Sequence, residues 1–199
     1  TRAAPPPWPD AASDFRVPAF HKAIGGYHPA KLRIYQDIIE RYLYGEPNPQ
    51  VLNMLNTKYI IVQNPQNGQQ SVIPNPKAYG NCWFVKNIKY VQNDVEEIQT
   101  IGSTNLRDTA IVQQAFASKM VQPQWDSTSS VTLTKFDNDT MEYSSNSSTP
   151  QFAVFSEVYY PDGWNAYLDG KKVDYVKTNY VLRGLSLPAG KHIVKFVFE

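Results

Sequence analysis

Cysteine is nearly absent: Cys82 stands alone in 199 residues. No internal disulfide can form, and zinc sites built on cysteine clusters are excluded. In the run NCWF, beside an aromatic residue, Cys82 reads as a small buried apolar residue rather than a nucleophile. One cysteine suits an envelope protein that does without disulfides, and it suits the cytosol equally. Long apolar runs are also missing. Nothing approaches the ~18 consecutive residues that a membrane-spanning helix needs, and no segment has the form of a signal peptide. An excess of one charge is missing too. Nineteen Lys and Arg face eighteen Asp and Glu, for a net charge of +1, and the cations are scattered. A nucleic-acid partner needs a clustered basic footprint to neutralise phosphates, so none is expected.

Histidine is scarce. His21, His28 and His192 show no spacing of the HExxH kind, so neither a metal site nor a cofactor is expected. His192 falls on an expected core face. Asp137-Asn138-Asp139 starts like a calcium loop but lacks the Gly and the terminal Glu that complete an EF-hand, and it reads as a solvated turn. G-x-S-x-G, Walker and GxGxxG motifs are all absent. Glu142 and Glu157 could pair on adjacent strands as a glycosidase requires, which keeps an unrecognised hydrolase as a minor reading.

What is present is a globular composition, 42% hydrophobic and 19% charged, with Tyr the commonest aromatic. The length allows one large domain or two small ones, each able to bury a core. A start at Thr1 and an apolar ending, KHIVKFVFE, read as an excised fragment. Residues 1–13 hold TRAAPPPWPD and read as an extended arm, followed by a candidate edge strand at 14–20. Leu32, Tyr35, Ile38, Ile39 and Tyr42 recur at helical spacing over 29–43, after Pro29 and before Gly45. A second helix starts at Asn48-Pro49 and runs into KYIIV (58–62), which reads as a buried strand. Residues 63–80 read as a loop. Strands are expected at 82–85, 88–91 and 109–112, with a helix at 93–101 capped by Asn93. Residues 14–115 thus form an α+β region, and 116–127 a connector.

Residues 128–199 carry strands and turns. VTLTKF (131–136) and TMEYSS (140–145) flank the Asp137–Asp139 turn. QFAVFSEVYY (151–160) is apolar on both faces, as a central strand is. Asp169-Gly170 sits between two strand-like arms, a strong hairpin signal. NYVLRGLSL (179–187) and HIVKFVF (192–198) complete the set. The fold class is therefore α+β, a mixed N-terminal region packed on an antiparallel β-sandwich of jelly-roll or carbohydrate-binding-module type.

Binding character is concentrated in YYPDGWNAYLDG (159–170). Aromatic faces beside amides and carboxylates stack on sugar rings while bonding their hydroxyls. The candidate glycan-binding residues are Tyr159, Trp164, Asn165, Tyr167 and Asp169. Of the two adjacent tyrosines, Tyr159 is expected to face outward, because Tyr160 shares parity with Phe152, Val154 and Val158. The alternative is that Tyr160 and Trp164 fill the sandwich core.

SExYYP…GW (Ser156 to Trp164), the DGK hairpin (Asp169–Lys171), NYxLRG (Asn179–Gly184) and PAGKHxVxFxF (Pro188–Phe198) together resemble the last extracytoplasmic segment of the YfhO-like family of bacterial multi-pass membrane proteins. GGYHPAKLRIYQD, VLNMLNTKYIIV and GNCWFVKNIKYV resemble its Bacteroidetes-type members, so the likeness runs from about residue 14 to the end. DGW replaces the commoner PGW form. The resemblance implies a glycosyltransferase-C-like parent that uses a lipid-linked sugar donor to glycosylate envelope polymers. Its catalytic acid would lie in a loop between early membrane spans, outside this chain, so no catalytic residue is carried over. The expected chain is a non-catalytic, monomeric domain on the outer face of the bacterial cytoplasmic membrane. Its expected partners are the membrane-embedded part of its own chain and a glycan or lipid-linked sugar. The rival reading is a scaffold for the membrane spans that binds no sugar.

Overall fold

A computed structural model describes residues 2–4, 22–26, 30–64 and 66–199. Most of the expected arm, the candidate edge strand at 14–20, His21 and His28 lie outside the described residues. The chain divides into two compact units, Thr1–Gly80 and Asn81–Glu199.

In the first unit, α1 (Arg33–Tyr42) buries Ile38 and Ile39, and Leu43 follows them into the core. Tyr35 lies alongside, its hydroxyl donating to the Ile24 carbonyl at 2.7 Å. Leu32 precedes the helix and is exposed, and Tyr42 is half-buried, so the buried stripe is narrower than the sequence spacing suggests. Next comes α2 (Pro49–Met54). The Asn48 side chain accepts from the Gln50 and Val51 amides, and Pro49 takes the first turn, where its missing N–H costs nothing.

β3 (Thr57–Gln63) pairs in parallel with β1 (Arg2–Ala4), which is itself parallel to β2 (Lys22–Ala23). The expected loop at 63–80 contains a further strand, β4 (Gln70–Pro74), antiparallel to β3 with Ile61 opposite Val72. β3 is also less buried than its β-branched run implies: Tyr59 is exposed and Ile60, Ile61 and Val62 are half-buried. β4 is held by backbone pairing and not by an apolar pattern, so sequence periodicity passes over it.

The second unit is a sandwich of two antiparallel sheets. One has the order β13 (Val176–Thr178), β14 (Leu182–Leu187), β10 (Gln151–Val158), β5 (Cys82–Val85). The other runs β12 (Lys171–Val173), β11 (Trp164–Leu168), β15 (Gly190–Phe198), β9 (Thr140–Ser147), β8 (Ser130–Phe136). As expected for a central strand, β10 is buried along residues 151–156. The inward faces meet at Phe84, Phe155 and Leu185 from one sheet and Tyr143, Val194 and Phe196 from the other. Tyr143, Phe155 and Phe196 pack edge-to-face, with centroids 4.7–6.2 Å apart. Cys82 belongs to this core, and burial pushes its thiol pKa up to about 12, which makes it a poor nucleophile.

Residues 81–113 were expected to belong to the N-terminal region, but they fold into this second unit. β5 hydrogen-bonds to β10 with Phe84 opposite Ala153. β6 (Asn87–Val91), α3 (Asp94–Ile101) and β7 (Thr109–Gln113) form a parallel β-α-β unit, and β7 lies against β13. The expected connector holds a 3-10 helix, Gln114–Lys119. The expected strand over 179–187 begins only at Leu182. Asn179 and Tyr180 instead form a turn with φ of 49° and 68°.

Candidate functional site

Backbone parity decides which side chains of the 164–170 hairpin can act together. β11 pairs with β15 so that Trp164 lies opposite Phe198, Asn165 opposite Val197, Ala166 opposite Phe196 and Tyr167 opposite Lys195. Ala166 and Phe196 are fully buried between the sheets, so Trp164 shares the inward face while Asn165 and Tyr167 face out.

The five candidates therefore do not form one platform. Trp164 is half-buried against the core. The Arg183 guanidinium lies over its ring at 4.3 Å, and Phe198 meets it edge-on at 5.5 Å. Tyr159 is half-buried and packs edge-on against Tyr175 at 5.4 Å, while Tyr160 is the more exposed of the pair at 37%. The expected orientation of these two is reversed. The β10 register shifts between Phe155 and Val158 and the strand ends there, so parity does not carry through to 159 and 160.

Asn165 and Tyr167 do converge, and a residue from the chain end joins them. The Tyr167 hydroxyl donates to both Glu199 carboxylate oxygens, at 3.0 and 3.2 Å, and Asn165 Nδ2 donates to Oε2 at 3.0 Å. The hydrogen bond to Glu199 and its negative charge raise the Tyr167 pKa above the usual phenol value. A pocket of about 400 Å³ opens here, lined by Tyr167, Gly170, Ile193, Lys195, Val197 and Glu199. It offers one aromatic ring, an aliphatic floor, an ammonium and a carboxylate. Register extends the polar character across the sheet, in the order Lys172, Tyr167, Lys195, Glu142, Lys135 on successive strands.

Asp169 lies at the end of this face with another task. It and Gly170 have φ of 50° and 81°, the two left-handed residues of a tight hairpin turn closed by the Leu168–Lys171 pair. Its Oδ1 accepts the Ile193 amide at 2.9 Å, its own amide donates to the Ile193 carbonyl at 2.9 Å, and its Oδ2 meets His192 Nδ1 at 2.7 Å. Both carboxylate oxygens are thus committed to β15. These hydrogen bonds hold the Asp169 carboxyl below the ordinary carboxylate range.

The pocket residues that sequence reasoning missed, Ile193, Lys195, Val197 and Glu199, come from the outward parity of the last strand. Alternation in KHIVKFVFE could have found them. The carboxylate pair weighed for a hydrolase does not come together. Glu142 is on the outward face of the five-stranded sheet, and Glu157 is on β10 of the other sheet. Among the described residues no group of three or more His, Cys, Asp or Glu side chains is placed to hold a metal ion.

Fold and site together define an antiparallel β-sandwich with a small polar-aromatic pocket on the outward face of one sheet. No family model, curated protein or solved structure matches the chain.

Proposed function

We propose that this chain is a non-catalytic, glycan-positioning domain displayed on the outer face of the bacterial cytoplasmic membrane by a YfhO-like multi-pass parent. The observation that carries the binding role is the 400 Å³ outward-facing pocket in which Tyr167, Lys195 and Glu199 surround an aliphatic floor, with Asn165 bonded to the Glu199 carboxylate beside it. A pyranose has apolar C–H faces and a polar rim, and this lining matches both: a ring to stack on, and an ammonium and a carboxylate for hydroxyls. The membrane address and the parent rest on the sequence resemblance alone. A scaffold role is the second reading, and the inward packing of Trp164 against Arg183 and of Tyr159 against Tyr175 favours it.

Titrating cell-wall oligosaccharides into isotope-labelled protein separates the two. A few contacts on an open face give half-saturation at about 0.1–10 mM. Shifts should concentrate at Asn165, Tyr167, Ile193 and Lys195, and Tyr167→Ala should abolish them while amide dispersion stays intact. A flat response across the panel at millimolar concentration leaves the scaffold reading in place.

A further inference from the structure

The two ring nitrogens of His192 both face hydrogen-bond acceptors. Nδ1 lies 2.7 Å from Asp169 Oδ2, and Nε2 lies 3.2 Å from the Ala189 carbonyl oxygen. A neutral imidazole carries one N–H and can satisfy only one of them, whereas an imidazolium satisfies both. A carbonyl cannot donate, and an ionised carboxylate cannot either. An imidazolium is therefore the form that satisfies this geometry in full.

We propose that His192 is an imidazolium clamp that ties the β11–β12 turn to the β14–β15 turn, so that the wall of the Tyr167 pocket is ordered in a pH-dependent way. The coupling to the pocket is direct. Asp169 bonds Ile193 through both its side chain and its backbone, and Gly170 and Ile193 line the pocket. Space around the ring is also specified: a Cβ at Gly190 would stand 3.0 Å from Nε2, where φ is +127°.

Asp169 is the one charged group that acts on the ring among the described residues. Ser145 lies opposite on β9 and its hydroxyl donates to the His192 carbonyl, while Lys191 is on the other face of the strand. The hydrogen bond to Asp169 raises the His192 pKa above the ordinary imidazole value, and the reciprocal bond helps lower that of Asp169. The histidine contribution is complete below the unfolded-state value and is lost as pH rises through the folded one. The aspartate contribution is present above its unfolded-state value and is lost as pH falls through its folded one. The clamp holds between the two folded-state values, a window that includes mildly acidic pH. Its consequence for a bound glycan, tighter binding inside the window than above it, rests on the reading given above. The clamp itself does not.

The test is a pH titration of the whole chain by NMR, following the His192 ring nitrogens and the amides of Asp169, Gly170 and Ile193. The expected midpoint lies above the ordinary value of about 6.5, with both nitrogens protonated below it and the three amides shifting with the same midpoint. Asp169→Asn keeps a residue that tolerates the left-handed turn and should lower the midpoint, because the partner's negative charge is gone. A wild-type midpoint at or below the ordinary value, amides that do not follow the ring, or an unchanged midpoint in the Asn variant overturns the proposal. None of these readings requires a ligand, so the clamp can fail while glycan binding stands, and the reverse.

Discussion

At the scale of single residues, the sandwich distinguishes rigid contacts from yielding ones. A Cβ at Gly184 would lie 2.5 Å from the Phe152 ring and 3.1 Å from Thr178, and both of those side chains are fully buried. A Cβ at Gly163 would be closer still to Phe198, at 2.2 Å, but that ring is 49% exposed and can swing outward. Distance alone ranks Gly163 as the worse site; freedom to move reverses the order. Gly184→Ala should cost about 1–3 kcal/mol in urea denaturation, as overpacking of a close-packed core does. Gly163→Ala should cost distinctly less, and equal losses would show that Phe198 is held as firmly as Phe152.

At the scale of elements, one buried ionic cluster fastens the β-α-β unit to the sandwich edge. Glu97 on α3 is fully buried and accepts from the Tyr180 amide at 2.8 Å, from Gln113 Nε2 at 3.0 Å and from Lys177 Nζ at 3.3 Å. Lys177 on β13 also pairs with Asp94 and lies over the Tyr180 ring at 4.8 Å. Burial raises the Glu97 pKa and the surrounding donors counter that rise in part, while the Lys177 hydrogen bond lowers that of Asp94. The cluster sits under Asn179 and Tyr180, two successive left-handed residues that are not glycine, a conformation that local preference disfavours. Asn179 is pinned from the other side, accepting the Ile111 amide at 2.9 Å. Glu97→Ala strips Lys177 and the Tyr180 amide of a partner and should cost about 3–5 kcal/mol. It should also speed amide exchange at 177–182 more than in β9 or β15. Uniform exchange across the unit would mean the cluster does not hold that turn.

At the scale of the molecule, the second unit closes on its own core. Its two sheets and its β-α-β unit are all drawn from residues 81–199. Expressed alone, residues 81–199 should unfold in one cooperative transition, with tryptophan fluorescence and far-UV circular dichroism coinciding. Non-coincident transitions or a molten species would show that residues 1–80 are needed to complete its packing. Among the described residues no helix is long and apolar enough to cross a membrane.

The elements legible in the sequence were those that short-range physics dictates. Asn48-Pro49 and Asn93 start helices because each Asn side chain accepts from an orphan backbone N–H within three residues, and Pro49 has no N–H to leave unpaired. Asp169-Gly170 turns because both residues tolerate positive φ. The continuous apolar run 152–155 is central because only a strand covered on both faces buries it. The rest depended on partners distant in sequence. β4 exists through pairing with β3, and β5 leaves the N-terminal region because β10 offers it an edge. The candidate site followed the same rule. The aromatic-rich run 159–170 marked the right hairpin, but strand parity and the β10 register sent Trp164 and Tyr159 inward and left Asn165 and Tyr167 outside. Lys195 and Glu199 became their neighbours only when β15 docked beside β11, because register across a sheet is set by long-range hydrogen bonding and not by the order of residues along the chain.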